Sequence, residues 1–116
     1  MGLLSRAAIL TAADLKSEEV EVPEWGGAVR VQELTAGRRQ DLFSAMAGLS
    51  DAERSRLFRR TVLQASLVDE TGACIFDESS IDMLLGKSAV VIDRVMAVAL
   101  RLSGLGAEGE AAAKNA

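Results

Sequence analysis

The segment Val20–Leu34, VEVPEWGGAVRVQEL, constrains the fold of this chain more than any other stretch. Val20 and Val22 alternate with Glu19 and Glu21. Val29 and Val31 alternate with Arg30 and Gln32. Each half therefore has one apolar and one polar face, the pattern of a half-buried strand. Gly26 and Gly27 lie between the halves and can supply the positive φ angles of a tight hairpin turn. Pro23, the single proline, cannot donate a ladder hydrogen bond and belongs at an edge. The spacing leaves the register open. A two-stranded hairpin is marginal in water. The face carrying Val20, Val22, Val29 and Val31 must therefore lie on helices or on a neighbouring subunit. Trp25, the single tryptophan, falls at the tip. Either it folds back onto the core, or it is an exposed anchor of the kind that interface hot spots favour.

Elsewhere the pattern is helical. Ser5 to Leu15 permits a short helix without a strong apolar stripe. Thr35 suits the N-cap of a helix over Ala36 to Ala47, with Leu42, Phe43 and Met46 on its apolar side and Gly48 ending it. Ser50 and Glu53 have capping-box spacing. The helix that follows is predicted to run to about Val68, because Leu57, Phe58, Thr61, Val62, Ala65 and Val68 form one stripe. Asp69-Glu70-Thr71-Gly72 is turn chemistry, and Cys74 to Phe76 a short extended piece. Ser79 and Ser80 can cap a short helix through Leu85, and Ser88 the next. That last helix, Ser88 to Leu102, is apolar around most of its circumference, which means burial on most sides. It is either the central helix of the subunit or part of a subunit interface. Lys87, Arg94 and Arg101 fall seven apart, near one line. Three glycines and few bulky apolar residues mark 104–116 as a tail.

The fold class is thus α+β, a mainly helical bundle with one N-terminal β-hairpin over 1–103, followed by a flexible C-terminal tail over 104–116. A chain of 116 residues suits one domain. With aromatics at 3%, the core must come from Ala, Val, Leu, Ile and Met. The chain has no histidine and one cysteine, which removes His-based triads, His/Cys zinc sites and an internal disulfide. Cys74 then reads as a small buried hydrophobe, and a lone thiol fits a reducing cytoplasm. The glutamates around the hairpin read as a solvated edge that discourages aggregation. Asp77, Glu78 and Asp82 lack calcium-loop spacing and read as caps and turns. No phosphate-binding loop follows the glycines. These readings point to no enzyme, no cofactor and no metal. No run is long enough to span a membrane, and the N-terminus carries no export signal. The arginines Arg38, Arg39, Arg54, Arg56, Arg59 and Arg60 offer the alternative, a small helical DNA-binding or regulatory protein using the Arg54–Arg60 face. The net charge of −4 favours instead a solvated face, or a surface for an acidic protein.

The run Asp14-Leu15-Lys16, then Val20-Glu21-Val22-Pro23-Glu24-Trp25-Gly26-Gly27 and Val29-Arg30-Val31-Gln32-Glu33-Leu34, resembles the N-terminal half of the tail assembly chaperones of long-tailed bacteriophages. Leu67-Val68-Asp69-Glu70-Thr71-Gly72, Phe76, Leu84-Leu85 and the apolar helix ending Leu102-Ser103-Gly104-Leu105 resemble their C-terminal half. The first motif is the more specific. The resemblance implies a non-enzymatic protein of the host bacterial cytoplasm, absent from the mature virion. It implies that the protein coats the tape measure protein, recruits the tail tube protein and self-associates as a homo-oligomer, with neither nucleic acid nor membrane as partner. Trp25, the four hairpin valines and Arg56, Arg59 and Arg60 are the candidate partner-binding residues. Family members are often made in two forms by a programmed −1 frameshift, and Ala113-Lys114-Asn115 can be encoded by a slippery heptamer.

Overall fold

In the computed structural model, which describes residues 2–105, the alternating segment forms two strands. These are β1 (Ser17–Val22) and β2 (Gly27–Gln32), antiparallel, with Val20 opposite Val29 and Glu19 opposite Arg30. The pairing puts the valines on one face. Val20, Val22 and Val31 are buried and Val29 is half-buried, while Glu19, Glu21 and Ala28 on the other face are exposed. The connection is not the two-glycine turn expected. Pro23–Trp25 make one turn of 3-10 helix, and Gly26 closes it with φ +80°. Gly27 is the first residue of β2. Pro23 thus starts a helical turn, where its missing N–H leaves no partner unsatisfied.

The mainly helical bundle with a lone hairpin is corrected by a third strand. The sheet is three-stranded and antiparallel in the order β1-β2-β3, with β3 formed by Leu67–Val68. The helix predicted to reach Val68 ends at Ser66, and Leu67 turns to extended backbone at ψ 113°. Leu67 then pairs with Val31, and Val68 with Arg30. The reason is backbone satisfaction. Without β3, the outer edge of β2 would bring unpaired amides to the core margin, where such groups are costly. A stripe that includes a β-branched residue does not distinguish one more helical turn from a short strand. Val68 also bridges Cys74, and the Ile75 amide donates to the Leu67 carbonyl (3.1 Å). Asp69 holds the intervening turn, accepting from the Thr71 hydroxyl (2.6 Å) and the Thr71 and Ala73 amides. These bonds, the Thr71 hydroxyl first, keep its carboxyl below the usual range. Cys74 is exposed, correcting its expected burial: it lies where the chain leaves the sheet.

Five α-helices complete the chain's described part: α1 (Arg6–Thr11), α2 (Ala36–Met46), α3 (Asp51–Ser66), α4 (Ile81–Leu84) and α5 (Ala89–Leu102). Thr35 caps α2, and Ser50 with Glu53 closes a full capping box on α3. Ser80 and Ser88 occupy N-cap positions but cap nothing with their side chains. Asp77 does that work before α4, accepting from the Ser79 hydroxyl and from the Ser79 and Ser80 amides. α5 packs on α3 and on both hairpin strands. Val91, Ile92, Val95, Met96, Ala99 and Leu100 are buried there, each of them except Ala99 stabilising by about 1.5–3 kcal/mol before entropy is counted. Only a narrow strip including Val90, Asp93, Ala97 and Arg101 is exposed. Within this chain α5 is the central helix, and it covers the hairpin's valine face. Its end is tied down twice. The Leu34 amide donates to the buried Ser103 hydroxyl (2.9 Å), and the amide of buried Leu105 donates to the Leu100 carbonyl (2.9 Å). Ala113–Asn115, where a slippery heptamer is expected, lies outside the described residues.

Candidate functional site

The 3-10 turn that replaces a tight glycine turn also aims Trp25. Its side chain is half-buried, leaning on the core rather than entering it. With Val29, Leu67, Ile75, Phe76 and Leu84 it lines a groove of about 260 Å³ whose only charged lining residue is Lys87. Ile75 keeps 50% of its surface exposed. Three elements build this groove. The hairpin supplies Trp25 and Val29, the turn after β3 supplies Ile75 and Phe76, and α4 with the residues after it supplies Leu84 and Lys87. A small apolar groove with one cation at its margin can seat an aliphatic or aromatic side chain from another polypeptide. Lys87 is the one lining side chain with a titratable group. Among the described residues, no group of three or more Cys, Asp or Glu is placed to hold a metal, and no helix is long and apolar enough to cross a membrane.

The hairpin tip is fixed electrostatically from α5. Arg94 donates to both oxygens of Glu24 (2.9 and 2.8 Å), and Arg101 to Glu18 (2.6 Å). The Arg94 hydrogen bonds hold the Glu24 carboxyl down at about 2. Two members of the seven-residue line on α5 thus straddle β1 from the 3-10 turn to its second residue. On the outer face Arg30 pairs with Glu19 (3.2 Å). The glutamates expected as a solvated edge are largely arginine partners. The signal for this was present in the arginine spacing on α5 and the glutamate spacing across the hairpin.

The candidate residues do not form one patch. Val20, Val22 and Val31 are core, Val29 is at the groove wall and Trp25 at its mouth. The arginines lie on α3 and are mostly engaged. Arg54 is buried, donating to the carbonyls of Met46 (3.3 Å) and Leu49 (2.7 Å) and to Asp51. Arg59 pairs with Asp93 at 2.8 Å, and Arg60 with Asp82 at 3.6 Å. Arg56 is exposed. Ile75, Phe76 and Leu84 were not singled out from the sequence as site residues. Nothing in their spacing marks them, since the groove exists only once the 69–80 segment folds beside the hairpin.

The model of the phage tail assembly chaperone family matches residues 4–115. The chain belongs to that family. Among solved structures, this tail assembly chaperone is similar to that of bacteriophage HK97, with 20% identity and a TM-score of 0.56 over 76% of this chain and 85% of the other. At that identity the likeness concerns the fold alone. No curated protein sequence matches this chaperone significantly.

Proposed function

We propose that this tail assembly chaperone binds the tape measure protein of its phage and recruits the tail tube protein during tail assembly. It does so without chemistry, in the host bacterial cytoplasm, as a homo-oligomer that is absent from the mature virion. The family match over 4–115 carries the reading. The apolar groove beside Trp25 supports the self-associating part of the reading, because it offers surface that can seat an apolar side chain of another polypeptide reversibly. The DNA-binding alternative has less support, since Arg54, Arg59 and Arg60 are occupied within the chain. Production in two forms, by a frameshift at Ala113-Lys114-Asn115, is part of the same reading and is checked by the codons there.

The test is co-expression with the tape measure and tube proteins of the same phage. Retention of the tape measure protein on the tagged chaperone, and of tube protein on that complex, is expected. If neither is retained while the chaperone is folded, the reading is wrong. A salt-dependent shift of labelled duplex DNA would favour the alternative instead.

A further inference from the structure

The chain before β1 carries apolar residues that nothing in the subunit covers. Every residue from Gly2 to Glu19 is exposed. Leu4, Ile9 and Leu10 keep 70%, 56% and 72% of their surface, and Leu15 keeps 43%. Yet the arm is organised. Ser5 caps α1 by accepting from the Ala8 amide (3.1 Å), and Leu4 and Ile9 occupy the two positions of a hydrophobic staple. A six-residue helix is far below the length at which an isolated helix holds in water. Its apolar side chains therefore need a surface.

The same chain presents an apolar surface without an occupant, the groove of Trp25, Ile75, Phe76 and Leu84. The arm leaves from the end of β1 opposite the loop that carries Trp25. Its base is fixed there by the Glu33 amide donating to the Lys16 carbonyl (2.9 Å) and the Lys16 amide donating to Glu33 Oε1 (2.8 Å). Charge is complementary as well. Asp14 on the arm and Lys87 at the groove make no ion pair among the described residues. We infer that the arm of one copy seats Ile9 and Leu10 in the Trp25–Ile75 groove of a second copy, with Asp14 directed to Lys87. This rests on the self-association part of the proposed function and names the surfaces that make it. The contact joins two different patches, so each copy can give an arm and receive one.

The experiment is sedimentation velocity on the full chain, with circular dichroism as a fold control. Wild type is expected to associate. Leu10→Asp, which removes the arm's contact, and Ile75→Asp, which spoils the groove, are each expected to raise the self-dissociation constant about 10-fold or more, the scale of one buried leucine. A mixture of the two variants is expected to form a 1:1 complex that grows no further, because one intact arm and one intact groove remain. Lys87→Glu is expected to weaken association, and adding Asp14→Lys to restore it. An associating wild type whose Leu10→Asp variant associates equally well overturns the arm while leaving self-association standing, as does a mixture that stays monomeric. A monomeric wild type overturns both.

Discussion

Arg54 offers a sharp test, because four neighbouring arginines on α3 look alike in sequence and differ in what they hold. Its guanidinium reaches the end of α2, where Met46 and Leu49 present carbonyls with no further helical partner. Arg54→Met keeps the apolar stem and deletes the donors. Hydrogen bonds to a charged group contribute about 1.5–3 kcal/mol each, but they do not all count here. Asp51 is exposed, so its pair is worth under about 1 kcal/mol. Leu49 is half-buried, and water can replace its donor in part. Met46 is buried, and its carbonyl is left with the Leu49 amide (3.3 Å) as its remaining donor. The expected loss is about 1–2 kcal/mol, or roughly 5–10 °C in Tm for a domain of this size. Arg56→Met, at an exposed position, should stay within about 0.5 kcal/mol. Urea titration followed by circular dichroism reads both. If the two variants melt together, the assignment of Arg54 as the tie between α2 and α3 is refuted.

Glu24 is held down from 4.5 to about 2 by Arg94, so its contribution is complete above about pH 4.5 and disappears as pH falls toward 2; Arg94→Gln should flatten stability over that window in acid titrations, with its small loss present at neutral pH and gone near pH 2. Gly26→Ala should cost about 1–2 kcal/mol by denaturant titration, since φ +80° opposes any Cβ although open space surrounds it; a neutral result would mean that the hairpin loop relaxes freely. Trp25→Ala should leave the domain folded at a cost of about 1–2 kcal/mol, below the 3–5 of a fully buried tryptophan, while weakening capture of tape measure protein or self-association in a pull-down; global unfolding would make Trp25 a core residue.

Sequence pattern made the hairpin legible because alternation over two valine pairs has one structural meaning, and the caps at Thr35 and Ser50 because their hydrogen bonds are local. It did not reveal β3. Leu67 and Val68 fit the helical stripe of α3, and only the exposed backbone of β2, distant in sequence, decides against another turn. Cys74 failed for a related reason, since its surroundings are set by that strand and not by Ala73 and Ile75. α5 was legible as buried, and its placement against the valine face answers whether the hairpin needs a neighbour to cover it. The groove was invisible because its walls come from three separated segments, and the arm because exposure of apolar residues leaves no periodic trace.

The pairing of Glu24 with Arg94 across 70 residues, and of Glu18 with Arg101 across 83, sets a timetable for synthesis. At about 5–20 residues per second, a ribosome makes the hairpin roughly 4–14 s before the helix that covers it. During that interval the valine side of the hairpin has no lid and the strands are free to find another nascent chain. Glu18 and Glu24, not yet paired with α5, leave the hairpin with negative charge that opposes pairing with a neighbouring copy until α5 emerges. The acidic residues that end as partners of α5 thus serve first as a temporary guard on a strand pair that waits for the last helix.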